Sequence, residues 1–275
     1  VGDRLEGRVA IVTGSGMGIG KGIARRYARE GASIVVADIR DEFGKRTVDE
    51  LVELGTEATF VHTDMMSKDS INGLVAETVG AYGRVDIIVN NAQSYTELVP
   101  FEEKTDAMFA TSLESGLWGS FWSMQAVFPH MKEQRYGRIV NFCSLNMDTG
   151  AYFSVDYNAT KSGILGLTRS GAREWGQHGI TVNAIAPGAA SEGYLAWKAK
   201  SPEAAAVNEA NIPLQRMGDP EEDLGGVALF LATADGQYIT GHLLYADGGG
   251  HMGSAWRPPR STKADGLGHF QPDEG

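Results

Sequence analysis

Tyr157 and Lys161 stand four residues apart, a spacing that puts both side chains on one face if the segment is helical. A free phenol has a pKa of roughly 10 and is a poor proton acceptor at neutral pH, whereas a neighbouring ammonium favours the phenolate. Such a pair suits proton transfer at an alcohol or carbonyl oxygen, where hydride chemistry needs a proton partner and a group that stabilises the developing oxyanion. The spacing alone is not distinctive, because Tyr194 and Lys198 repeat it. Ser144 separates the two pairs. It lies 13 residues before Tyr157 and follows the apolar run Arg138–Cys143, so its hydroxyl would sit at the exposed end of a strand. Tyr194 has Thr181 at the same distance, early in its strand and away from that edge. Tyr194 and Trp197 read instead as one face of a short helix that could line a pocket.

A second chemistry-bearing segment is Thr13-Gly14-Ser15-Gly16-Met17-Gly18-Ile19-Gly20, which follows an apolar run and opens a helical pattern. Glycines there let the backbone turn and approach a pyrophosphate, and the helix start offers N–H groups and a partial positive charge to it. Strand before, helix after and an acid at the end of the next strand give the segment its weight. That acid is Asp38, which can accept from both hydroxyls of an adenosine ribose and would repel a 2′-phosphate, so NAD is expected over NADP. Arg40 lies two residues on and softens that preference, and Asp38 would equally serve as a helix N-cap. Asp64, after the third strand, and Asn90, at the end of the fourth, sit at carboxyl ends of strands and could meet the adenine and the ribose side, or simply form turns.

Taken in order along the chain, these pieces resemble the short-chain dehydrogenase/reductase family, over about Leu5 to Gly249. Its TGxxxGxG stands at Thr13–Gly20, its NNAG at Asn90-Asn91-Ala92-Gln93, and its Ser and YxxxK at Ser144, Tyr157 and Lys161. Pro187-Gly188 and the run from Ile239-Thr240-Gly241 to Asp247-Gly248-Gly249 match as well. The resemblance implies an NAD-dependent alcohol dehydrogenase or ketoreductase. Tyr157 would be the general acid/base, Lys161 would hold the nicotinamide ribose and lower the tyrosine pKa, and Ser144 would bond the substrate oxygen. Cofactor contacts would come from Gly14, Ser15, Gly16, Met17, Gly18, Ile19, Gly20, Asp38, Asp64, Met65, Asn90, Ala92, Tyr157, Lys161, Pro187, Gly188 and Ser191. Substrate contacts would come from Gln93, Ser144, Asn146, Tyr152 and Tyr194. With Tyr95, Leu145, Met147, Phe153 and Trp197 the expected walls are aromatic and apolar, which suits a hydrophobic or cyclic secondary alcohol or ketone. A homotetramer, or a dimer, built through long helices is implied too.

Three positions depart from the family pattern. Gly116 stands where an asparagine usually helps to position a water in the proton relay, and water, Ser112 or Ser115 could substitute. Gln93 replaces the glycine of NNAG, and Glu192 replaces a threonine whose contact Ser191 could supply. Gly116 and Glu192 motivate a second reading, an NAD(H)-binding sensor or structural protein with little catalysis.

The elements that must position these residues are legible as alternating segments. Apolar, β-branched runs lie at Val9–Thr13, Ser33–Asp38, Ala58–His62, Val85–Asn90, Arg138–Cys143, Ile180–Ala186 and His242–Ala246. Their near-continuous apolar character predicts strands buried on both faces. Helical periods fall at about Gly18–Glu30, Asp41–Leu54, Lys68–Tyr82, Asp106–Met131, Tyr157–His178 and Pro220–Ala232. The alternation predicts an α/β fold, a doubly wound, Rossmann-like parallel sheet of seven strands with helices on both faces. Residues 1–251 would form one catalytic domain. Within it, 188–219 reads as a substrate lid or a surface excursion, and 252–275 as a loosely ordered tail or a segment docking on a neighbouring subunit.

Composition narrows the partners. The 275 residues carry a net charge of −11, which disfavours nucleic acid and anionic membrane. One cysteine, Cys143, leaves no internal disulfide framework, and its strand alternation points it away from Ser144 as a small buried residue. With no apolar leader and no apolar stretch of about 18 residues, a cytoplasmic location is expected. The six histidines show no metal-ligand spacing, no GxSxG elbow is present for hydrolase chemistry, and Asp148 and Asp156 are expected as solvated loop residues.

Overall fold

The computed structural model describes residues 2–253, 263–264 and 270–271. Its elements run β1 (Val9–Thr13), α1 (Gly18–Arg29), β2 (Ser33–Asp38), α2 (Asp41–Glu53), β3 (Ala58–His62), α3 (Lys68–Tyr82) and β4 (Ile87–Asn90). They continue as α4 (Asp106–Ser112), a π-helical turn over Leu113–Trp118, α5 (Gly119–Gln134), β5 (Gly137–Phe142), α6 (Asn146–Thr149), α7 (Val155–Trp175) and β6 (Ile180–Pro187). Then follow α8 (Glu192–Lys200), α9 (Pro202–Asn211), a second π-helical turn over Pro220–Leu224, α10 (Gly225–Ala232) and β7 (Leu243–Ala246). The seven strands lie in the order β3-β2-β1-β4-β5-β6-β7, and every neighbouring pair is parallel. The expected doubly wound sheet is what forms. Beyond Gly253 only the short antiparallel pair β8 (Lys263–Ala264) and β9 (Phe270–Gln271) is described; the rest of the expected tail lies outside the described residues.

The first two strands are apolar through their middles because each face buries a different set. From β1 and β2, Ala10, Val12, Ile34 and Val36 pack with Ile23 and Tyr27 of α1 and Leu229 of α10. The alternate residues Val9, Ile11, Val35 and Ala37 pack with Leu74 of α3 and Met124, Val127 and Met131 of α5. A period of two thus feeds two cores, and each fully buried large aliphatic contributes about 1.5–3 kcal/mol.

Sequence order reverses on the two sides of β1, which opens a crevice at the carboxyl ends of β1 and β4. Among the described residues no helix is long and apolar enough to cross a membrane.

Candidate active site

The crevice floor is the turn between β1 and α1. Gly14 sits at φ +65°, and a Cβ there would come within 2.9 Å of Ala92 Cα, so only glycine lets this turn approach the end of β4. Gly14, Met17, Gly18 and Ile19 line a cavity of about 500 Å³ together with Asp38, Arg40, Asp64, Met65 and Ala92. Met17 precedes α1 without a side-chain cap, so the start of a 12-residue helix faces this cavity. A glycine-floored groove ending at a helix start fits an elongated, phosphate-bearing ligand.

Asp38 is buried, and its carboxylate is held in place from three sides. It accepts from the Gly16 amide at 3.0 Å, the Arg40 amide at 3.0 Å and Arg40 Nε at 3.2 Å. Arg40 also lies over the Phe43 ring, 4.9 Å from its centroid. Charge and counter-charge therefore sit side by side at the far end of the cavity.

The other end meets the chemical residues. Ser94 and Tyr95 line both this cavity and a second one of about 440 Å³, whose walls include Leu98, Asn146 and Tyr157. Tyr95 stacks on Tyr157, with ring centroids 5.4 Å apart. Lys161 is buried, its Nζ lies 5.4 Å from the Tyr157 ring centroid and donates to the Phe142 carbonyl at 2.8 Å. The lysine is therefore turned inward and tied to the strand that delivers Ser144. Ser144 Oγ accepts from the Asn146 amide at 3.2 Å and also contacts the Tyr157 hydroxyl.

Electrostatics at this junction differ from the expectation of a lowered tyrosine pKa. Burial pushes Tyr157 well above its ordinary value; Tyr95 adds to the rise, and the contact with Ser144 opposes it. Burial also pulls Lys161 down to about 8, which weakens the ammonium that was to favour the phenolate. For Tyr157 and Lys161 alike, burial is the largest influence.

Several residues expected at the site lie elsewhere. Asn90 is turned into the core by strand alternation, donating to Asn141 Oδ1 at 2.8 Å and accepting from Ser123 Oγ at 2.7 Å. The cavity is lined by Asn91 instead, whose amide donates to the Thr13 carbonyl at 2.9 Å. Ser15 is buried with its hydroxyl on the Val12 carbonyl at 2.6 Å, and Gly20 packs against the Gly14 carbonyl, so both shape the loop from behind. Pro187 ends β6 and Gly188 lines a separate cavity beside Asp247. Ser191 lines the main cavity, although its hydroxyl caps α8. Tyr152 is 87% exposed and lines neither cavity of the site. Tyr194 packs within the segment 188–219 itself, with its hydroxyl donating to Glu209 at 2.9 Å and its ring beside Trp197.

Other residues matter more than their sequence context suggested. Asp156 is no solvated loop residue. It is buried in an ion pair with Lys104 at 3.0 Å and accepts from Thr96 Oγ1 at 2.6 Å, which ties the loop after β4 to the first turn of α7. Asp148 is exposed, as expected, and accepts from the Tyr245 hydroxyl. Cys143 is buried against Ile164 and Ala184, and burial pushes its thiol up to about 11.

Comparison with known proteins adds to this geometry. Residues 14–251 match the family model described as enoyl-(acyl carrier protein) reductase. L-fucose dehydrogenase of Oryctolagus cuniculus is 37% identical over 257 residues, covering 92% of this chain and 88% of that protein. The 12alpha-hydroxysteroid dehydrogenase of Clostridium sp. is 35% identical over 252 residues, covering 89% of this chain and 97% of that protein. A structure from Beutenbergia cavernae, assigned as an NAD(P) dependent gluconate 5-dehydrogenase with NADP bound at low occupancy, superposes with a TM-score of 0.83 at 35% identity. It covers 91% of this chain and 99% of that one.

Proposed function

This chain belongs to the short-chain dehydrogenase/reductase family, and on that premise we propose that it moves a hydride between NAD(H) and a hydrophobic or cyclic secondary alcohol/ketone, with Tyr157 as general acid/base. The observation that carries the reading is the placement of the buried Lys161 one helical turn from Tyr157, with Tyr157 on the wall of the second cavity and stacked on Tyr95, which lines both. Bound nicotinamide supplies the hydride acceptor or donor. Gly14, Met17, Gly18 and Ile19 would hold its pyrophosphate, Asp38 the adenosine ribose, Asp64 and Met65 the adenine side, and Asn91, Ala92 and Ser191 the nicotinamide half.

The chain's own groups handle the proton. Ser144 orients the substrate oxygen toward the Tyr157 phenol oxygen, which as phenolate takes the alcohol proton when the carbonyl forms and as phenol returns it in the reverse direction. Lys161, anchored on Phe142, holds the nicotinamide ribose and biases the phenol toward ionisation once its ammonium is charged. Preference for NAD over NADP rests on the buried Asp38 carboxylate, which a 2′-phosphate would face directly. Leu98 and the Tyr95 ring on the second cavity favour a cyclic or apolar alcohol, in keeping with the hydroxysteroid-acting relative.

Two further parts complete the reading. The helices α8 and α9 act as a lid rooted at Ser191 and Gly193, both on the cavity wall. A homotetramer or dimer forms through the long helices, where Trp118, 47% exposed, clusters with Phe121 and Trp122. A cytoplasmic location fits the single buried thiol.

The test is a panel of cyclic and acyclic secondary alcohols with NAD. Turnover is expected, and Tyr157→Phe should lower it by on the order of 10²–10⁴-fold while leaving NADH affinity nearly intact. NADH binding with no turnover on any alcohol would favour the sensor reading instead. Brisk polyol turnover with failure on cyclic apolar alcohols would reverse the substrate class.

A further inference from the structure

Gln93 and Gly116 are sterically complementary. A Cβ built on Gly116 would collide with Gln93 Oε1 and Thr160 Cγ2, and would come within 2.9 Å of Gln93 Cδ. Gly116 lies in the π-helical turn Leu113–Trp118, on the side that faces α7. The Gln93 side chain thus fills the space that any larger residue at 116 would need.

The orientation of the Gln93 amide is fixed by its partners. Its Nε2 donates to the Ser94 and Ser112 carbonyls, each at 3.1 Å, and lies 3.3 Å from Ser115 Oγ. With the NH₂ claimed by two carbonyls, Oε1 must point the other way, toward Gly116 and Thr160. There it is enclosed and has no hydrogen-bond partner among the described residues. A buried carbonyl oxygen left unpaired is unfavourable, so something else must hold the glutamine in this place.

We infer that Gln93 and Gly116 are a reciprocal replacement, in which the amide usually carried on the helix at position 116 is supplied from the loop after β4. Gln93 is then a positioning residue for the proton-handling pair. Its amide ties the loop to Ser112, at the mouth of the π-turn. Ser112 Oγ lies 3.2 Å from Thr160 Oγ1, which in turn donates to the Asp156 carbonyl at 2.8 Å. The chain of bonds ends on the stretch of α7 that carries Tyr157 and Lys161. Single-turn π-bulges inside α-helices are rare and frequent at functional sites, and this one is held from outside its helix by the Gln93 amide. The inference rests on the proposed role of Tyr157 and Lys161.

A double-mutant cycle tests it: Gln93→Gly, Gly116→Asn, and the two combined. Gly116→Asn alone overpacks and Gln93→Gly alone leaves the turn unbraced, so each should lower kcat by on the order of tenfold or more. The combined variant should recover to within about threefold of the parent enzyme. Gln93→Met keeps the volume without the amide; it should fold, lose kcat more than it alters KM, and shift the pH profile of oxidation. Thermal unfolding midpoints of the same four proteins provide a second cycle that needs no turnover. A combined variant as impaired as the product of its singles in both cycles would overturn the inference, as would a Gln93→Met enzyme with unchanged kcat and pH profile. An enzyme inactive on every alcohol would instead remove the functional reading, while the unfolding cycle would still decide the replacement.

Discussion

Tyr95 lies on Tyr157 with ring centroids 5.4 Å apart and planes 23° from parallel, and Tyr95 itself is 77% exposed. A solvent-facing ring therefore screens the half-buried phenol proposed as the acid/base. Burial is the largest influence raising Tyr157, and the charge and hydrogen bonding of Tyr95 come next. Tyr95→Ala removes both and admits water to the ring, so the Tyr157 pKa should fall. A base that ionises at lower pH becomes active at lower pH, so the rising limb of kcat/KM for alcohol oxidation should move toward neutrality. Superimposable profiles for parent and variant would show that Tyr95 does not act on Tyr157.

Asp38 predicts cofactor choice. Its carboxylate faces the cavity with Arg40 alongside, so removing the acid leaves a cation where a 2′-phosphate would sit. Asp38→Ala should raise the ratio of kcat/KM for NADP to that for NAD by at least about tenfold, the scale of one hydrogen bond to a charged group. Steady-state kinetics with both cofactors measure it. A ratio that stays put would mean that the adenosine ribose is not bound at Asp38.

The fold was legible because the central strands are buried on both faces, and such runs announce themselves; β1, β2, β3 and α3 begin and end where the pattern places them. What failed was non-local. The run read as one helix over Asp106–Met131 contains the π-turn at Leu113–Trp118, whose bracing by Gln93 comes from another segment. Asp156 looked solvated because its cation, Lys104, is remote in sequence. Asn90 and Asn91 are neighbours of the same type, and the pleat at the end of β4 decides which one faces the crevice. The short amphipathic helix expected within 188–219 is two helices, α8 and α9, joined by the Tyr194–Glu209 bond that also took Tyr194 from the pocket.

The Lys104–Asp156 pair predicts a large stability effect. Both side chains are nearly fully buried, at 2% and 3% exposure, and Lys104 also donates to the Glu97 carbonyl at 2.7 Å. Burial pushes the Asp156 carboxyl up, but hydrogen bonds from Thr96 and Lys104 outweigh it and hold the group below the usual range. Lys104→Met leaves that carboxylate buried without its cation, which should cost about 3–5 kcal/mol. Guanidinium unfolding of parent and variant checks the figure. A loss under about 1 kcal/mol, the scale of an exposed pair, would mean that the clamp contributes little.

Lys161 predicts how stability varies with pH. Its folded pKa is lowered to about 8 by burial, against roughly 10.4 for an unfolded lysine. Between those values the unfolded chain holds a proton that the folded one has released, so the unfolded state binds more protons and stability rises with pH. Below pH 8 the cost of burying the ammonium is present in full, and it is relieved as the folded lysine deprotonates. Lys161→Met has no such titration. The stability of the parent relative to this variant should therefore increase by on the order of 2–3 kcal/mol from pH 7.5 to pH 10, at about 1.4 kcal/mol per pKa unit. Denaturant midpoints for both proteins across that range provide the comparison. A difference that stays flat would mean that Lys161 keeps an ordinary pKa, and one that falls would mean that the folded protein binds the proton more tightly than the unfolded chain does.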